Sequence, residues 1–98
     1  MAHFFCRLLP PRPGFAQDMT AAEMQAMQAH VGYWTALAQA GTAVVFGPVA
    51  DPAGFWGLGV LEVAGEAEAQ AITRDDPAIL AAIGLRYEVL PMPRATTR

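Results

Sequence analysis

The sequence predicts an α+β fold with the element order β-α-β-β-α-β. This is the split-βαβ, ferredoxin-like arrangement: one four-stranded antiparallel sheet with its helices on one face. Three observations carry it. One long capped helix stands between strand-type runs. Two short runs separated by Asp51-Pro52-Ala53-Gly54 read as a hairpin. A second helical stretch is followed by an alternating run that stops at prolines.

His3 to Leu9 is a dense apolar run closed by Pro10, of strand rather than helix length. Its alternation puts Phe4, Cys6 and Leu8 on one face, and His3, Phe5, Arg7 and Leu9 on the other. Pro10 to Asp18 reads as a proline-rich loop without a helix, because Pro10, Pro11, Pro13 and Gly14 all break regular structure. Thr20 to Ala40 is a helix that opens on the capping box Thr20-Ala21-Ala22-Glu23 and is stopped by Gly41. Met24, Met27, Val31, Trp34 and Ala38 follow at spacings of three and four and are expected to form its buried stripe.

Thr42 to Val49 is a β-branched strand, and Trp56 to Val63 is its hairpin partner. Gly57 and Gly59 share one parity, which marks a backbone approached closely by another group. Glu66 to Arg74 is a short helix. Asp76-Pro77 starts one more turn through Ala82, with proline at the permitted first position. Gly84 ends that turn. Leu85 to Leu90 is the last strand, with Leu85, Tyr87 and Val89 facing one way. Residues from Pro91 onward are expected to be a frayed tail.

Composition bounds the function. Ninety-eight residues make a single domain, 1–98, with 54% hydrophobic and 15% charged residues and a net charge of −3. That balance excludes disorder, and six scattered arginines without a lysine give no footprint for nucleic acid. Cys6 is alone, so a disulfide-stapled secreted scaffold is excluded. Cys6, His3 and His30 are too few and too scattered for a metal site, and no cofactor motif is present. No apolar run is long enough to span a membrane, and residues 1–9 are no secretory signal, so a cytoplasmic location is expected. A sheet covered on one face only would leave Phe5, Leu9 and parts of the hairpin in water. A homodimer packed sheet to sheet is the expected remedy.

Few residues can carry chemistry. His30 lies at the edge of the helix stripe beside Trp34 and Leu37. It is either a partly buried histidine satisfied on a backbone carbonyl or a working imidazole. Asp76 is either a helix N-cap or a carboxylate partner. Periodicity does not decide whether the two meet. Arg7 either snorkels from its strand or anchors a substrate carboxylate. Cys6 reads as core, not nucleophile.

The ordered set Met27-Gln28-Ala29-His30-Val31-Gly32-Tyr33-Trp34, then Gly41, Gly47-Pro48, Gly57, Asp76-Pro77 and a strand ending in Pro91 resembles the YCII-related (YciI-like) family. The likeness runs from Phe4 to Pro93, and the proline loop resembles one branch of the family. The resemblance implies a ferredoxin-like fold paired into a dimeric α+β barrel. It also implies a histidine–aspartate dyad, which falls on His30 and Asp76. Relatives of the barrel fold include isomerases and dehalogenating enzymes acting on small ring-derived compounds, and also proteins without known chemistry.

Two functions are therefore expected as alternatives. One is a small cofactor-independent enzyme in which His30 is general base or acid and Asp76 orients it. Its pocket would be drawn from Phe5, Arg7, Trp34, Phe46, Gly47 and Pro48. The other is a non-catalytic ligand-binding or accessory homodimer whose polar pair is structural. A cavity beside His30 separates them.

Overall fold

Capping chemistry sets the longest element. In the computed structural model, which describes residues 1–98, Thr20 accepts the Glu23 amide at 3.1 Å while the Glu23 carboxylate accepts the Thr20 amide at 2.8 Å. The helix that follows, α2, spans Ala21–Gln39. Around it the chain runs β1 (Ala2–Leu9), α1 (Phe15–Asp18), α2, β2 (Ala43–Val49), β3 (Trp56–Val63), α3 (Glu66–Arg74), α4 (Pro77–Leu80) and β4 (Arg86–Met92).

The four strands form one antiparallel sheet in the order β2-β3-β1-β4, as a split-βαβ topology requires. In register, Cys6 lies opposite Gly59 on one side and Val89 on the other. One sheet face therefore carries Phe4, Cys6 and Leu8 with Leu61, Val63, Tyr87 and Val89. Phe4, Cys6, Trp34, Ala43, Leu61, Val63 and Ala69 form the core between this face and the helices. No helix is long and apolar enough to cross a membrane.

The paired glycines of β3 are explained by two different neighbours, Trp34 over Gly59 and Leu8 against Gly57. A Cβ on Gly59 would stand 2.5 Å from the Trp34 Cη2 atom, and one on Gly57 would stand 3.2 Å from the Leu8 Cβ. The indole thus lies flat on bare backbone, and its residue is only 1% exposed.

Three expectations need correction. The segment before α2 is not all loop: once Pro13 and Gly14 are passed, Phe15–Asp18 closes one helical turn around buried Phe15. The buried face of α2 is turned from the expected stripe. Met24 and Val31 are exposed, and Glu23, Ala26 and Trp34 are the buried residues. The cause is polar: Glu23 and Trp34 both have partners under the helix, so burying them satisfies their hydrogen bonds. Finally, β4 continues through Pro91 to Met92. It is an edge strand, where a proline without an N–H is tolerated.

Candidate functional site

Asp76 is both a cap and a partner. Its Oδ1 accepts the Ala78 amide at 2.9 Å, the N-cap bond of α4. Its Oδ2 accepts from His30 Nδ1 at 2.7 Å, from Trp34 Nε1 at 3.0 Å and from the Tyr87 hydroxyl. The Trp34 N–H is shared, since it also points to the Tyr87 oxygen at 3.0 Å. The carboxylate is completely buried.

Burial alone would push the Asp76 carboxyl up. The hydrogen bonds from His30, Tyr87 and the Ala78 amide outweigh it and hold the carboxyl below its usual range. Tyr87 moves the other way: burial, then the adjacent Asp76 charge, pushes its phenol far up. Tyr87 is therefore a fixed O–H donor, and Asp76 a fixed anion.

The same carboxylate orients His30. An acceptor at Nδ1 makes that nitrogen the N–H of the neutral ring and leaves the lone pair on Nε2. The side chain is about one-eighth exposed. It lines a pocket of about 190 Å³ that opens beside α2. The walls are almost wholly apolar, and His30 is the one ionisable residue among those lining it.

Of the residues expected in the pocket, Phe46, Gly47 and Pro48 line it. Trp34 lies beneath it instead, with ring centroids 6.1 Å from Phe46 and 6.4 Å from His30, and so forms a support under the wall. Phe5 and Arg7 do not line it. They lie on the sheet face away from the helices, where Phe5 meets Trp56 edge-on and the Arg7 guanidinium sits 4.5 Å above the Trp56 ring. Strand parity already separates them from Cys6 and Leu8, and it overrides their grouping with Trp34. Cys6 is fully buried with its thiol pushed up to about 12, and is inert.

Sequence reasoning missed two contributions. Alternation groups Tyr87 with Leu85 and Val89 on one face of β4, but nothing in its spacing links it to Asp76. The segment Pro10 to Met19 supplies Pro10, Phe15, Ala16 and Met19 to the pocket. A lone aromatic residue, Phe15, inside a polar, proline-rich stretch is the available signal.

An α+β domain of this topology, with a buried carboxylate behind a pocket histidine, defines a class that the sequence comparison specifies. The chain belongs to the YCII-related domain family, whose match covers residues 3–93. No protein of curated function matches it. Among solved structures it is similar to 5-chloro-2-hydroxyhydroquinone dehydrochlorinase (TftG) from Burkholderia phenoliruptrix AC1100, in complex with 2,5-dihydroxybenzoquinone. The TM-score is 0.57 at 19% identity, over 87% of this chain and 90% of that one. At that identity the likeness establishes the shared fold.

Proposed function

We propose that this protein is a small cofactor-independent enzyme that uses His30 and Asp76 for acid/base chemistry on a small ring-derived or carbonyl-containing molecule. The observation that carries the reading is the 2.7 Å contact between His30 Nδ1 and buried, ionised Asp76 beside an apolar pocket. Nε2 is then the nitrogen available to substrate. It takes a proton from a C–H or O–H of the substrate, and Asp76 stabilises the imidazolium so formed. Returning that proton to another substrate atom is an isomerisation. Loss of an anion such as halide from the deprotonated substrate is an elimination. The complex of the dehydrochlorinase with a dihydroxybenzoquinone supports a ring substrate for this fold. The pocket beside His30 favours this reading over a purely structural pair, which would need no cavity.

The active form is proposed to be a homodimer joined through the open sheet face. Phe5, Leu9, Leu58, Val60 and Leu90 lie on that face. Arg7 leaves its Nε buried there without a hydrogen-bond partner, a donor that a second copy could satisfy. The test is a screen of halogenated hydroxyquinols and small lactones with wild type and His30→Ala. We expect turnover of one class and a fall of at least about 100-fold in the variant. Equal turnover in both would end the acid/base reading.

A further inference from the structure

We infer that the pocket selects uncharged single-ring ligands, and that the segment Pro10 to Met19 is the preformed wall that sets this selection. The inference rests on the proposed site, but concerns what enters it and not what happens there.

Charge is decided by the lining. Of the residues around the pocket, only His30 can carry a positive charge, and Asp76 already holds its Nδ1 side. Asp76 itself is a fixed buried anion. A carboxylate or phosphate entering an apolar wall would lose its hydration, meet no arginine or lysine, and stand near a second negative charge. Arg7, the cation expected to anchor such a group, is on the other sheet face, stacked on Trp56. An uncharged acid meets none of these costs. When it passes its proton to Nε2, the substrate anion and the imidazolium appear together, so the net charge of the site does not change.

Size is decided by the wall. An apolar cavity of about 150 Å³ holds one benzene, and this pocket, open on one side, offers about 190 Å³. One substituted ring takes up that space, and the second ring of a fused pair would have to press on the walls or project through the mouth. The wall cannot easily give way, because residues 10–19 are held at three places by three different elements. Arg12 grips the Glu23 carboxylate of α2 through both terminal nitrogens, at 2.9 and 2.7 Å, and also bonds Asp18. Its guanidinium lies 5.3 Å from the Phe15 ring centre and covers it. Pro13 sits on Gly54 of the hairpin turn, where a Cβ would come within 3.1 Å of its carbonyl oxygen. Pro11 sits on Gly84 after α4, where a Cβ would come within 2.9 Å of the Pro11 Cβ. Phe15 is thus held in place before any ligand arrives.

The test uses matched probes and no turnover. Benzamide and benzoate have one shape and differ in charge; 2-naphthamide adds a ring. Each is titrated into the full-length protein and followed by NMR at the His30 and Met27 side chains. In wild type we expect benzamide to bind at these residues at least tenfold more tightly than benzoate or 2-naphthamide. Phe15→Ala should raise 2-naphthamide affinity at least fivefold. Met27→Lys, which adds a cation to the wall, should remove the preference against benzoate. Benzoate binding as well as benzamide, absence of benzamide shifts at His30 and Met27, or a Phe15→Ala protein still closed to the second ring would each overturn the inference. The acid/base reading fails on a different result, full turnover by His30→Ala, so the two can fall separately.

Discussion

Asp76 concentrates more obligations than any other side chain here. Its two oxygens receive four donors, from His30, Trp34, Tyr87 and the Ala78 amide. Asp76→Ala strips all four inside the core and should destabilise the fold by about 3–5 kcal/mol, read as a lower urea midpoint. Asp76→Asn is no gentle change either, because its amide N–H₂ must face donors. The sequence leaves Asp76 as either a helix N-cap or a carboxylate partner, and its two oxygens make both kinds of bond at once. Tyr87→Phe removes one donor to Asp76 and the lesser acceptor of the Trp34 N–H, which keeps its bond to Asp76, and should cost about 1 kcal/mol. The proton position on His30 is a separate prediction. Nitrogen-15 shifts of the neutral ring should show Nδ1 as the N–H and Nε2 as the bare nitrogen. An Nε2–H tautomer would contradict the arrangement around Oδ2.

At the scale of elements, α2 and β3 meet through a vacancy kept by glycine. Gly59→Ala would place a methyl 2.5 Å from an indole pinned at its N–H by Asp76 and Tyr87, so Trp34 cannot swing away. Overpacking of this kind should cost about 1–3 kcal/mol and lower the Tm. The junction of α2 with the wall segment makes a pH prediction. Hydrogen bonding from Arg12, then from the Thr20 amide, lowers Glu23 from 4.5 to about 2. A depressed folded-state carboxyl stabilises above its unfolded value and loses that contribution as pH falls through its folded value. Stability should therefore drop between about pH 4.5 and pH 2, and in Arg12→Met the slope over this window should flatten, measured by urea melts at several pH values. These elements also show what the sequence makes legible. The capping box, the shared parity of Gly57 and Gly59, and the strand alternation are local patterns, and they announce β1, α2 and the hairpin directly. The buried face of α2 is not local. It follows Glu23 and Trp34, whose partners Arg12, Asp76 and Tyr87 lie 11 to 53 residues away. A hydrophobicity stripe through Met24 and Val31 cannot register them. The His30–Asp76 contact spans 46 residues and is brought about by the same tertiary packing.

For the whole molecule, the proposed homodimer makes the outer sheet face its interface. Light scattering should give twice the 10.4 kDa chain mass, and Leu58→Arg, which sets a charge among apolar neighbours opposite Arg7, should give a folded monomer. A wild-type monomer that stays soluble and folded at micromolar concentration would count against the dimer. The helix face carries a different kind of information. The pocket wall from Pro10 to Met19 is one unbroken stretch of chain, while His30 and Asp76 sit on elements that the sheet orders independently. The proposed selectivity and the proposed reactivity are thus written in separate parts of the gene. A protein engineer could exchange those ten codons as a cassette, keep Pro11, Arg12 and Pro13 as its fasteners, and randomise Phe15, Ala16 and Met19 to recruit new ring compounds while leaving the His30–Asp76 pair untouched.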